Sequence, residues 1–224
     1  MQLIDKKVVQ YMITKSILNP DSLLVIDESS KMSYYGCDQD WYKTQWQRAS
    51  GCGPSVACNI MFYLTNPDRN RMPKENWLKR MEESWQYVTP TVRGISSSKL
   101  FCELMADYID AKGLNFDFSR FEVAAVPCSR PPITQLIHFI EAALIKDMPV
   151  AFLNLSNGKV ENLDSWHWVT VVAISYEENG SAAFVKVFDS GELKTIDLLL
   201  WYKSTILGGG FVSLSHKERA QVAV

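Results

Sequence analysis

No run of about 18 consecutive apolar residues occurs in the 224-residue chain, so no segment reads as a membrane-spanning helix. The opening stretch MQLIDKKVVQYMITKSI has lysines but neither an unbroken apolar core nor a small-residue cleavage site, which argues against a secretory signal. Blocks of Lys or Arg are missing as well, and 23 basic against 25 acidic side chains leave a formal net charge of −2. That balance speaks against nucleic acid or an anionic membrane surface as the partner. Cysteine is scarce: five residues, an odd number at irregular spacings, with no C-x-x-C pair. A disulfide framework and a zinc site are thereby disfavoured, and reduced thiols in a cytoplasmic chain with no metal or cofactor are expected. No Pro/Ser/Gly-rich linker, internal repeat or low-complexity tract divides the sequence, so one domain over 1–224 is expected.

What is present separates into two halves. Asp5 to Ile17 has a roughly helical apolar spacing, stopped by Asn19-Pro20, and residues 1–30 read as an N-terminal helical arm. Leu23 to Ile26 reads as a short strand, and Asp27 to Gly51 as a long surface loop carrying Trp41 and Trp46. Helices are expected over Cys52–Leu64, Pro73–Tyr87 and Ser96–Lys112, which makes 31–115 mainly helical. From residue 116 the period changes. Phe116–Val126 looks extended, Pro132–Lys146 reads as one more helix, and Pro149–Leu155, His167–Tyr176, Ala183–Phe188 and Phe211–Leu214 read as strands. The turn signal Glu-Glu-Asn-Gly-Ser predicts a β-hairpin between two of them. Helices followed by an antiparallel sheet give an α+β fold class.

The stretch Ser50-Gly51-Cys52-Gly53-Pro54 runs straight into an apolar helix. A cysteine at the first turn of a helix sits where unpaired backbone N–H groups favour a thiolate, the nucleophilic form. Gly51 and Gly53 would let a substrate backbone approach the sulfur, and Pro54 suits a first-turn position. A small residue filling a tight helix start is the competing explanation. Cys58 and Cys102, inside helical patterns, read as packing residues.

A thiolate nucleophile needs an imidazole, and the chain has three histidines. His138 lies within an apolar helix and His216 in a charged tail. His167 opens a strand between Trp166 and Trp168, where its ring sits at the rim of a sheet. Asp189, ending the next strand, is the candidate to orient that ring, in competition with a plain turn aspartate before Ser190-Gly191. With an unbroken hairpin register Asp189 would point away from His167. A bulge or odd-length loop is therefore predicted.

In these residues the chain resembles the papain-like cysteine peptidases, with Gly51-Cys52-Gly53-Pro54-Ser55 and His167-Trp168-Val169 most similar to the branch related to the bacteriocin-leader, double-glycine peptidases. The resemblance implies a helical subdomain carrying Cys52 as nucleophile, a β subdomain carrying His167 as general base and acid and Asp189 as orienting residue, and a cleft between them. It implies a peptide or protein substrate and an oxyanion glutamine six residues before the cysteine. Position 46 is tryptophan, so Gln45 and Gln47 are the candidates, with Gln39 further away. Trp46 and Trp166, with Gly51 and Gly53, are candidate substrate-binding residues. The rival expectation is a binding module of the same fold with an inactive cysteine.

Overall fold

The computed structural model describes residues 11–217. Strand β1 (Ile13–Ser16) is followed by β2 (Leu24–Asp27) and β3 (Met32–Tyr35), then by α1 (Gln45–Ser50) and α2 (Cys52–Thr65). The short β4 (Met72–Pro73) leads into α3 (Lys74–Tyr87) and α4 (Ser98–Ala111). The second half is β5 (Phe116–Val123), α5 (Ile133–Ile145), β6 (Val150–Asn154), β7 (His167–Tyr176), β8 (Ala183–Asp189), β9 (Glu192–Asp197), α6 (Leu198–Ser204) and β10 (Gly209–His216). Among these helices none is long and apolar enough to cross a membrane.

The main sheet runs β5-β10-β6-β7-β8-β9, with β1 also pairing to β7, and every pairing in it is antiparallel. A small second sheet joins β3, β2 and β4. Strand β7 is the structural axis of the main sheet. Only Ser175 of its ten residues is more than marginally exposed, which requires cover on both faces because successive side chains point oppositely. Helix α2 supplies one cover, tied by Asn59 Nδ2 donating to Thr170 Oγ1 at 3.0 Å, and α5 the other, where Tyr176 donates to Glu141 at 2.7 Å. The density of branched and aromatic residues in β7 follows from this double burial.

The core covers both faces of the sheet: Ile60, Phe62, Tyr63 and Trp77 belong to it from the helical part, and Phe152 and Phe211 pack on Trp201 of α6 on the face away from α2. Ser97 caps α4 by accepting from Leu100 N at 3.1 Å, as its position in the sequence suggests.

Three expectations are corrected. The helix read over Asp5–Ile17 lies partly outside the described residues, and within them Ile13–Ser16 is a strand. Its backbone groups complete the ladder of β7, which outweighs a weak helical spacing. The segment Asp27–Gly51 is not one loop: it holds β3 and α1. The latter is nucleated by a capping box in which Thr44 Oγ1 accepts from Gln47 N at 3.1 Å and Gln47 Oε1 accepts from Thr44 N at 3.0 Å. His138, whose place in an apolar helix predicts a partly buried structural residue, is exposed on α5.

Candidate active site

Gly51 ends α1 and starts α2, so the chain turns at one residue and Cys52 becomes the first residue of the long helix. The first intrahelical bond, Ser55 N to Gly51 O at 2.9 Å, leaves the N–H of Cys52 free of an intrahelical partner. Both flanking glycines are explained by the protein itself. A Cβ on Gly51 would lie 2.5 Å from the Gln47 carbonyl and 2.8 Å from the Tyr42 ring, and one on Gly53 would meet Ile95 at 2.6 Å. The space over them is filled by packing, so the expectation that they open room for substrate is not met.

His167 opens β7 opposite Asn154 of β6. The hairpin from β7 to β8 starts in the register that would send Asp189 to the wrong face, with Tyr176 paired to Ala183. A register shift between Val171 and Ala173 then pairs Val171 with Val187 and Thr170 with Phe188. Asp189 thus falls opposite Val169 and on the face of His167, which is the irregularity predicted from the sequence. Trp166, just before His167, holds left-handed backbone at φ 57°, a conformation bulky side chains take only when the surroundings impose it.

The result is a line of groups across three elements. His167 Nε2 lies 2.6 Å from Asp189 Oδ1, and the side chains are 11% and 1% exposed. The other ring nitrogen is left for Cys52, which lines the same small pocket. Burial alone would lower the basicity of His167. The Asp189 hydrogen bond, with the hydrogen bond and charge of Cys52, reverses this and pushes its pKa up to about 10. Asp189 is raised by burial but more than compensated by His167 and Lys194, ending at about 2. Lys194 Nζ sits 2.7 Å from Asp189 Oδ2, and Ser190 Oγ donates to Oδ1 at 3.1 Å.

These shifts fix a pH dependence. His167 binds its proton more tightly folded than unfolded, so its contribution to stability is complete below its ordinary value of 6.5 and is lost as pH rises towards about 10. Asp189 contributes above its ordinary value of 3.8 and loses that contribution as pH falls through about 2. Urea titrations between pH 6.5 and 10 are expected to show wild type losing stability faster than His167→Ala. Parallel curves would contradict the ion-paired imidazole.

The remaining candidates divide. Gln45 is exposed, and Gln47 is buried with its Oε1 spent on the cap of α1. Neither lines the pocket of Cys52 and His167, and the expectation of an oxyanion donor there is corrected. Gln39 does line it. Its Nε2 donates one proton to Arg48 O at 2.9 Å, and its buried Oε1 has no partner. Trp46 and Trp166 face a cavity of about 320 Å³ that also reaches Cys52 and is walled by Val92, Arg93, Leu153 and Leu155. Trp41 lies elsewhere, packed edge-on against Tyr34. Trp168 is buried, stacked on Phe101 and donating to Ile95 O at 2.7 Å.

Asp164, His167 and Asp189 bring ligand atoms within 4.8 Å of one another. They do not fit a cation: His167 Nε2 and Asp189 Oδ1 are bonded together, and Lys194 already sits on Oδ2.

The sequence alone ranks Gln39 behind Gln45 and Gln47, because α1 is inserted between it and Cys52 and lengthens the expected spacing, and it does not point to Lys194. Lys194 lies on β9, which went unrecognised although Ser190-Gly191, both at positive φ (51° and 76°), is a two-residue hairpin turn. The alternating Glu-Leu-Lys-Thr-Ile-Asp after it would have given the strand.

No protein-family model matches the chain, and no curated protein matches it. A crystal structure of UfSP from C. elegans is similar, with a TM-score of 0.52 at 11% sequence identity over 96% of this chain. This chain spans 36% of the length of that one, and at such identity the likeness is one of fold. The architecture is the papain-like α+β fold, a helical part and an antiparallel sheet with Cys52 and His167 facing each other where they meet.

Proposed function

We propose that the protein is a cysteine peptidase or, more broadly, a thiol-dependent amide hydrolase. The observation that carries this reading is the Cys52–His167–Asp189 line, in which a buried carboxylate 2.6 Å from the imidazole favours its protonated form beside a helix-terminal cysteine. In the proposed reaction the Cys52 thiolate attacks a substrate carbonyl carbon. The imidazolium gives its proton to the leaving amine, and the acyl-enzyme forms. His167 then takes a proton from water, whose oxygen attacks the acyl carbon and releases the acid and the thiolate.

The tetrahedral oxyanion would be met by the Cys52 backbone N–H and by the second Nε2 proton of Gln39. The rival reading of an inactive binding module drew on a displaced glutamine, and Gln39 in the pocket weakens it. Gln39→Ala is expected to lower turnover about 10²- to 10³-fold while leaving Cys52 reactive towards small electrophiles. Unchanged turnover would remove Gln39 from the mechanism.

The substrate is read as a peptide or protein segment lying in the cavity beside Cys52. Trp46, Val92 and Trp166 are exposed there by 49%, 98% and 61%, a concentration of apolar surface that suits a bulky apolar side chain better than glycine. The double-glycine specificity draws support only from the Gly51–Ser55 and His167–Val169 patterns. Incubation with a diverse peptide library, read by mass spectrometry, tests the activity. Cleavage by wild type and none by Cys52→Ser is the expected outcome; cleavage by neither over the whole library would return the inactive module.

A further inference from the structure

The acid of the triad is held by two cations, not one. Lys194 approaches Asp189 Oδ2 at 2.7 Å while His167 takes Oδ1 at 2.6 Å, so each carboxylate oxygen has its own positive partner. The register produces this arrangement. Asp189 pairs with Glu192 and Val187 with Lys194 across the Ser190-Gly191 turn, which makes Lys194 the diagonal neighbour of Asp189 on the face of His167. Its side chain is 23% exposed and Asp189 only 1%, so the ammonium closes the solvent side of a buried carboxylate.

We propose that Lys194 is a positioning residue of the catalytic line, sharing the charge of Asp189 so that His167 is oriented by the carboxylate without being bound to it so strongly that its proton can no longer be passed on. This rests on the peptidase reading. A general acid must release its proton at the working pH, and an imidazolium that is the only cation on a buried carboxylate would be a poor one. Lys194 takes up part of that negative charge on the second oxygen.

The groups around His167, Asp189 and Lys194 are few enough to name: Cys52 from α2, Glu192 from β9, Ser190 from the turn before it, Asp164 from the loop before β7, and Asp38 from the turn after β3. Asp164 and Glu192 act on Lys194, raising its affinity for its proton together with Asp189, although burial opposes them. Lys194 therefore stays charged through the range in which His167 titrates.

The test is the titration of His167 followed by NMR of ring-labelled histidine. The chain has three histidines, so the His167 signal is assigned by its loss in His167→Ala. In Lys194→Met the midpoint is expected to rise by roughly half a unit to one unit, because the opposing charge on Asp189 is gone. Lys194→Gln should repeat the rise and Lys194→Arg should restore the wild-type midpoint. Turnover of any cleaved peptide near neutral pH should fall about 3- to 10-fold in Lys194→Met, with KM unchanged. A midpoint that stays or falls in both Lys194→Met and Lys194→Gln, whatever their thermal stability, overturns the proposal. The peptidase reading fails separately: it falls if His167→Ala leaves the alkylation rate of Cys52 unchanged, irrespective of the Lys194 variants.

Discussion

Cys52→Ala is expected to abolish peptide cleavage, with kcat down by about 10⁴- to 10⁶-fold, and His167→Ala to cost nearly as much. The two losses should not add. Attack by sulfur and proton transfer by the ring both belong to formation of the acyl-enzyme, so a chain without either group has lost the same step. The double variant should retain the activity of the worse single variant. Both replacements ought to leave the fold intact. Cys52 is half-buried at a helix start, where alanine adopts the same backbone, and His167 sits at the rim of the sheet. Circular dichroism and thermal melting of the variants check that. Single-turnover kinetics then read the chemistry alone. A Cys52→Ala protein that still cleaves would show that another group carries the reaction.

The largest effect on stability is expected at Trp201. Its side chain is fully buried, packed edge-on against Phe152 at 4.7 Å and Phe211 at 5.7 Å. Nε1 donates to Asn154 Oδ1 at 2.7 Å and to Ser156 O at 3.1 Å. Trp201→Ala should cost about 3–5 kcal/mol, since the removed ring leaves a cavity that α6 and the ends of β6 and β10 cannot close. Trp201→Phe refills most of the volume but leaves Asn154 Oδ1 without its donor, which should cost about 1–3 kcal/mol. The consequence reaches the site. Asn154 pairs with His167 and donates to Asp164 O at 2.5 Å, so Trp201 steadies the strand end and loop that present the imidazole. Chemical denaturation measures the two losses; equal destabilisation by Ala and Phe would mean that the hydrogen bonds, not the packing, dominate.

The parts of the fold legible in the sequence are those in which one local signal had no competitor. Strand β7 is rich in branched and aromatic residues. Helix α2 follows a glycine-proline start, and the bulge was forced by the requirement that Asp189 share a face with His167. The illegible parts are those in which tertiary pairing decided. Ile13–Ser16 became a strand because β7 offered it free backbone groups, which no local periodicity reveals. Helix α1 is short and has no sustained apolar period, and its one local signal is the capping box that Thr44 and Gln47 form three residues apart. Gln39 ranks behind Gln45 and Gln47 in the sequence because the family spacing takes no account of the helix inserted before Cys52. The glycines around Cys52 were read as room for substrate when they make room for Tyr42 and Ile95.

The central claim is that His167 and Cys52 act as one unit, and alkylation by iodoacetamide near neutral pH, read at each cysteine by peptide mass spectrometry, tests it most directly. Cys128, which is exposed, serves as an internal reference for an ordinary thiol. In wild type Cys52 is expected to react faster than Cys128 despite being half-buried, and in His167→Ala its rate should fall about tenfold or more while that of Cys128 stays constant. A Cys52 that labels no faster than Cys128, and at the same rate with or without His167, would contradict the thiolate–imidazole pair.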